Sequence, residues 1–412
     1  MILALYAGEL MMKSGAEIYR VEDTIERICR VCKVDYVECF ATTTGIFLSL
    51  DSEAADSDMH TFIKRINGTS INLDRISKLN HFSRVFVSTD LSVEDGFQQL
   101  RSIAAEKVYA FWLRVIGAVL VGVFMSPYYG ADVLGMAFAG IAAGIGYMVS
   151  IAVSKLNFAK FIQIFIGCAV CALTALPLLA IWHDFNTTPV ILGAITVFMP
   201  GVAITNSARD LLSGDMLTGV ARMFEAIVIA IGIAGGTATV ITVWTRSGGS
   251  ISQGAVTHPL ALFPLYGALL TLGFCLLFHS PARQIIVTSI IGGVGMLALV
   301  ALPLIGGNSV SAVFFGTCIV AVLAEFASRA GKDATTVFIL PGIIPFVPGA
   351  AIYETMAELL GKGVYPAAIK GVETFIGAGC IAVALILIAS LTRILIATIG
   401  NVKKLFTKER SY

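Results

Sequence analysis

The sequence predicts a polytopic α-helical membrane protein: about ten transmembrane helices in a 5+5 inverted repeat, plus a small N-terminal α+β cytoplasmic domain. Three observations carry this. Of 412 residues, 57% are hydrophobic and only 13% are charged, with a mean hydropathy of +0.86, too little charge to cover a soluble surface. Residues 1–108 are charge-rich with mixed signs, whereas long stretches after Tyr109 carry almost none. Third, Pro200-Gly201-Val202-Ala203-Ile204 recurs as Pro348-Gly349-Ala350-Ala351-Ile352, and the register holds without a gap (348 − 200 = 148).

The divisions follow from these shifts: 1–108 a cytoplasmic α+β domain, 109–256 a first membrane repeat, and 257–412 a second with a basic cytoplasmic tail. Residues 2–33 have helical apolar spacing (Leu10, Ile18, Val21, Ile25, Ile28) and read as helix. The segment 35–50 alternates and is rich in β-branched and aromatic residues, predicting one or two strands, and 61–66 predicts another. Residues 72–86 and 92–108 read as helices, the second opened by Ser92 with Glu94 and Asp95 in its first turn. The domain has Ser14, Thr42, Thr43, Thr44, His60 and His81 but no GxSxG-type nucleophile motif, which favours a regulatory or assembly role over hydrolysis. Cys29 and Cys32 form a CxxC with no second pair to complete a metal site, so no metal or cofactor is expected, and packing accounts for them better.

Apolar runs long enough to cross a bilayer lie near 109–126, 131–153, 160–182, 188–207, 219–244, 258–279, 283–305, 308–328, 335–358 and 367–398. Loops after the even-numbered spans carry Lys155 and Lys160, Arg209, Arg283, then Arg329 and Lys332; loops after odd spans hold little beyond Arg246 and Lys362. The positive-inside rule therefore puts both termini in the cytoplasm. An offset of 148 residues maps the first five spans on the last five, and an odd number inverts the second copy relative to the first. Such repeats build one central site that faces either side in turn.

Within the repeat Asn206 matches Glu354, Asp210 matches Glu358, Arg222 matches Lys370, and Glu225 matches Glu373. Carboxylates inside apolar spans are costly unless they face a cavity or a partner, so Glu225 and Glu373 are the proton-coupling candidates. The plainer reading pairs each with the cation three positions earlier, Arg222 or Lys370. Arg114 and Glu325 are further intramembrane charges. Arg209, Asp210 and Glu358 read as solvated residues near the interface. Pro200, Pro341, Pro345 and Pro348 each lack an N–H and disrupt helix at membrane depth. Freed backbone groups and the positive end of a half-helix can then ligate a substrate, which makes Pro200, Gly201, Asn206, Pro348, Gly349 and Tyr353 the substrate-binding candidates. A merely kinked helix with satisfied neighbours is the competing account.

FMPGVAITNSARDLLSGDMLTGVARMFEA and FILPGIIPFVPGAAIYETMAELL resemble the two halves of the threonine/serine exporter (ThrE) family, and LMMKSGAEIYRVEDTIERI with ATTTGIFLSL resembles its cytoplasmic domain. The likeness covers essentially the whole chain. It implies a secondary exporter of small hydroxy amino acids in the cell membrane, driven by the proton gradient. A split, two-polypeptide version of the family is associated with succinate export, so a dicarboxylate is the alternative cargo. An amino acid needs an acceptor for its ammonium, which Glu225 or Glu373 supplies; a dicarboxylate favours Arg114, Arg222 or Lys370. A membrane-anchored hydrolase and a passive channel are the readings from other classes, and ten spans exceed what an anchor needs. Partners are then a small molecule, protons and lipid, with no nucleic acid. Gly/Ala-rich spans (Gly135 to Gly146, Gly232 to Gly236) allow contact between protomers, hence a homo-oligomer, as readily as within one.

Overall fold

The computed structural model describes residues 1–32, 36–51, 60–89, 91–181, 186–251, 255–347, 351, 354–355, 358 and 363–409. The N-terminal part is helical with one small sheet: α1 Ile2–Lys13, α2 Ile18–Val31, strands β1 Tyr36–Thr42, β2 Gly45–Asp51 and β3 His60–Arg65, then α3 Leu73–Ser88 and α4 Val93–Ala105. The strands are antiparallel in the order β1-β2-β3, with Phe40 opposite Phe47 and Phe47 opposite Ile63. Alternation does the rest: Ile46, Leu48 and Leu50 point into the core with Ile18, Val21, Ile25 and Ile28 of α2. Full burial of each such side chain is worth about 2 kcal/mol.

The single helix expected over 2–33 is two helices. Gly15 has φ +81°, a conformation that costs an L side chain, and Ser14 Oγ donates back to Leu10 O at 2.7 Å. The interruption exposes Lys13 O and Ser14 O, which accept from Ser70 N (3.0 Å) and Asn72 N (3.0 Å). Asn72 and Ser92 cap α3 and α4 by accepting from Arg75 N at 2.9 Å and Asp95 N at 3.1 Å.

The membrane part contains α5 Phe111–Met125, α6 Val133–Ser154, α7 Lys160–Ile181, α8 Thr187–Ile195, α9 Gly201–Ser213, α10 Met216–Arg246, α11 Phe263–Leu277, α12 Ile285–Leu304, α13 Ser309–Gly331, α14 Thr336–Gly342 and α15 Val364–Glu409. Among the described residues, eight helices are long and apolar enough to cross a membrane, and α8 with α9 passes the same test as a pair bent by 62°, which makes nine spans if the pair is counted as one broken span. The predicted span over 335–358 starts as α14, and much of its remainder lies outside the described residues. Phe224, Ile286, Ile290, Phe326, Ile394 and Leu395 are exposed around the bundle, a belt that lipid must cover.

The 148-residue offset reappears in the helices. α10 starts at Met216 and α15 at Val364; one 3-10 turn spans Thr196–Phe198 and the other Ile344–Phe346. Packing repeats as well. α5, α6, α7 and α10 contact one another in sequence, and so do α11, α12, α13 and α15. The halves join where α5 meets α11: a Cβ on Gly117 would sit 2.8 Å from Gly273 O, and one on Gly273 would sit 2.7 Å from Gly117 O. Small residues let backbones approach where lipid supplies no hydrophobic drive.

Gly117→Ala should therefore lower the detergent melting temperature, at a cost of about 1–3 kcal/mol from overpacking against backbone. Gly379→Ala, whose Cβ meets nothing within 4 Å, should be neutral or mildly stabilising.

Candidate functional site between the two helix breaks

Pro200 cannot continue the preceding 3-10 turn, because it lacks the N–H that a helix needs there. The chain instead passes through extended Met199 (φ −63°, ψ 132°) before α9 begins. Gly201 N donates to Met199 O at 2.8 Å and Ile204 N to Pro200 O at 3.0 Å, leaving the N–H groups of Val202 and Ala203 as the open first turn of a 13-residue helix. In the second half Val347 follows its own 3-10 turn with φ −65° and ψ 128°, the same conformation at the equivalent position (347 − 199 = 148). Pro348, Gly349 and Tyr353 lie outside the described residues.

The breaks meet. A Cβ on Gly201 would lie 3.1 Å from Val347 Cγ1 and 3.4 Å from Ile344 Cδ1. Between them is a cavity of about 10 Å³, lined by the equivalent pairs Thr196/Ile344 and Met199/Val347 together with Gly201, Met125 and Phe274. That volume holds about one water molecule, so the two breaks are nearly in contact. Thr196 Oγ1 donates back to Leu192 O at 2.7 Å at this point. On α9, Thr205 and Asn206 are buried, and neither Thr205 Oγ1 nor Asn206 Oδ1 has a hydrogen-bond partner among the described residues. Two orphaned buried acceptors a turn from the cavity are what a polar ligand would satisfy.

The charged candidates are placed differently. Glu225 is half-exposed on α10 and pairs with Lys160 of α7 at 2.6 Å rather than with Arg222. Glu373, also exposed, pairs with Lys370 at 3.3 Å, and Lys370 reaches Glu354 at 3.5 Å. Arg222 is occupied by Asp210 at 2.8 Å. Arg114 lies near Tyr147, and Glu325 pairs with Arg329 at 3.2 Å. None of these charges lines the central cavity.

Arg209 and Asp210 are not solvated interface residues. Asp210 is buried, and the Arg209 guanidinium pairs with Glu17 of the N-terminal domain, itself 1% exposed. Glu17 also pairs with Arg20 and accepts from Thr336 Oγ1 of α14 at 3.4 Å. Nearby, Leu73 N and Asp74 N donate to Phe278 O (3.0 Å) and His279 O (2.8 Å), so the first turn of α3 caps the end of α11. Asp333 accepts from Ser77, from Arg283 at 2.7 and 3.1 Å, and from Gln284 at 2.6 Å. The N-terminal domain is thus bolted to one face of the bundle by residues from both halves. A sequence reading misses Glu17 because its partner is 192 positions away (209 − 17); the only local signal is an acid beside the helix break at Gly15.

A family model described as "Putative threonine/serine exporter" matches residues 2–244, and one described as "Threonine/Serine exporter, ThrE" matches 265–391. The chain belongs to the threonine/serine exporter family. A "Probable threonine/serine exporter" of Mycobacterium tuberculosis is 23% identical over 367 residues, which is 86% of this chain and 69% of that protein. "Pheromone-regulated membrane protein 10" of Debaryomyces hansenii is 24% identical over 377 residues, and its counterpart in Pichia sorbitophila 23% over 354. These cover 84% and 82% of this chain but only 35% of each fungal protein. No solved structure matches the chain. This exporter-family member is an integral membrane protein, and its central breaks fall within the first matched segment and within the second.

Burial alone would raise the Asp333 carboxyl, but hydrogen bonds from Ser77, Arg283 and Gln284 and the Arg283 charge outweigh it and hold it below its ordinary 3.8. A lowered folded value means that ionised Asp333 contributes stability above about pH 3.8, lost as pH falls through the still lower folded value. Domain docking, followed by hydrogen exchange over 70–80, should stay intact from neutral pH to about 4 and loosen below. Asp333→Asn should loosen it at pH 7, by about 1–3 kcal/mol.

Proposed function

We propose that this protein is a secondary active exporter of small hydroxy amino acids, threonine and serine, in the cell membrane. Substrate sits between the breaks at 199–201 and 344–347, and the two repeats, inverted across the membrane, expose that site to either side in turn. The observation that carries the reading is the meeting of repeat-equivalent breaks, Met199-Gly201 against Ile344-Val347, at a closed central cavity. A soluble enzyme fold has no use for two interrupted helices buried back to back in an apolar bundle. The N-terminus of α9 offers open N–H groups and a positive dipole end for a carboxylate. Thr205 and Asn206 offer hydrogen bonds to a hydroxyl or ammonium.

Protons supply the drive in this proposal. Glu225 and Glu373 occupy equivalent positions, and each is held by a lysine, Lys160 or Lys370. Protonating either carboxylate cancels its ion pair, and the Lys160–Glu225 pair ties α7 to α10, so protonation loosens one helix from its neighbour. The face bearing the N-terminal domain is the cytoplasmic one, since it also carries Lys155, Arg209, Arg283 and Arg329. The mycobacterial relative and the family, both described as threonine/serine exporters, support the cargo.

Purified protein in proteoliposomes with an imposed pH gradient should accumulate threonine and serine. Glu225→Gln and Glu373→Gln should each cut gradient-driven uptake by about tenfold or more while the protein still folds, the size of effect expected for a lost coupling of 1–3 kcal/mol. Uptake of succinate in place of both amino acids would assign the dicarboxylate cargo instead, and uptake indifferent to the gradient would contradict proton coupling. Gly201→Val should abolish transport of any cargo without preventing assembly, because its side chain fills the cavity against Val347.

A further inference from the structure

We propose that the Glu17 carboxylate is a tethered, displaceable occupant of a carboxylate-binding site made by Arg209 and Thr336, and that a substrate's carboxylate enters the pathway through this site. The inference rests on the transport reading above and names the entry point for its cargo.

Glu17 begins a helix of the N-terminal domain, yet it is 1% exposed because the domain inserts it into the bundle. There it meets a guanidinium from the first half and a hydroxyl from the second, Arg209 of α9 and Thr336 of α14. A guanidinium beside a hydroxyl is a carboxylate receptor, here through the ion pair of Arg209 with Glu17 and the hydroxyl of Thr336. Neutralisation is also required: an unpaired buried guanidinium is heavily penalised. Any species that displaces Glu17 must therefore bring an anion of its own.

The position is right for an entry site. Gly201, Thr205 and Arg209 are spaced by four along α9 and so share one stripe of the helix. The stripe runs about 12 Å from the docking face to the central cavity, at 1.5 Å per residue. Halfway along lies Thr205, 1% exposed, whose Oγ1 has no hydrogen-bond partner among the described residues. A carboxylate released from Arg209 would next meet that hydroxyl and then the open N–H groups at the start of α9. Glu17 also links α9 to α14, one helix from each half, so its departure removes that link between the halves.

The test compares wild-type, E17Q, R209Q and E17Q/R209Q full-length protein. In detergent, acetate is the probe and acetamide, which lacks the charge, the control, with thermal unfolding as readout. Acetate should raise the melting temperature of E17Q protein, acetamide should not, and R209Q should erase the response in either background. In proteoliposomes E17Q should lower the half-saturation concentration for threonine, serine or succinate, whichever wild type carries, by about tenfold, the factor expected if Glu17 holds the site about nine-tenths of the time. Equal acetate responses in wild type and E17Q, or an equal response to acetamide, would overturn the inference. Should E17Q protein not fold, E17D gives the same comparison with a smaller gain. If wild type moves none of the three cargoes, the transport reading fails, and the acetate comparison alone decides the inference.

Discussion

The bilayer interior offers no water to a broken helix, and that constraint organises this molecule. A chain that interrupts a span at Pro200 must bury the interruption in protein or line a cavity with it. Here the two interruptions are buried against each other, with Gly201 seated on Val347 and Ile344. Their surroundings follow from that requirement. The close approach of α5 to α11 through Gly117 and Gly273 brings the halves near enough for the breaks to touch. The equivalent 3-10 turns aim both breaks at one point, and the small cavity is what remains between them.

Charge is disposed around that centre rather than in it. The ion pairs Lys160–Glu225, Arg222–Asp210 and Lys370–Glu373 all lie away from the cavity lining. Their inequality matters. In the first half each acid binds a cation from another helix, whereas in the second Lys370 serves Glu373 on its own helix and Glu354. The halves share a backbone plan but not an electrostatic one, which a transporter needs if its two faces are to differ in energy. The docked N-terminal domain adds a second asymmetry, since among the described residues Glu17 and Ser77, the latter through Asp333, anchor it on one face.

Much of the framework was legible in the chain. The offset of 148 predicted equivalent breaks, and Met199 and Val347 adopt nearly the same backbone angles. Eight of the ten predicted span positions match helices long and apolar enough to cross a membrane, and the strands followed from alternation. What escaped was long-range pairing. Arg222 stands three residues before Glu225, yet Asp210 claims it, because α9 folds back on α10 and presents the acid first. Arg209 read as a solvated loop cation because its counterion belongs to another domain. The split of α1 from α2 turned on a single glycine with positive φ, which apolar periodicity does not register.

The central claim is that cargo binds where the two breaks meet. An electron cryomicroscopy structure of the full-length protein in lipid nanodiscs with saturating threonine tests it most directly. Ligand density is expected between Met199-Gly201 and Ile344-Val347, within hydrogen-bonding reach of Thr205 or Asn206. Density found only elsewhere, with the two breaks still in contact, would contradict the account.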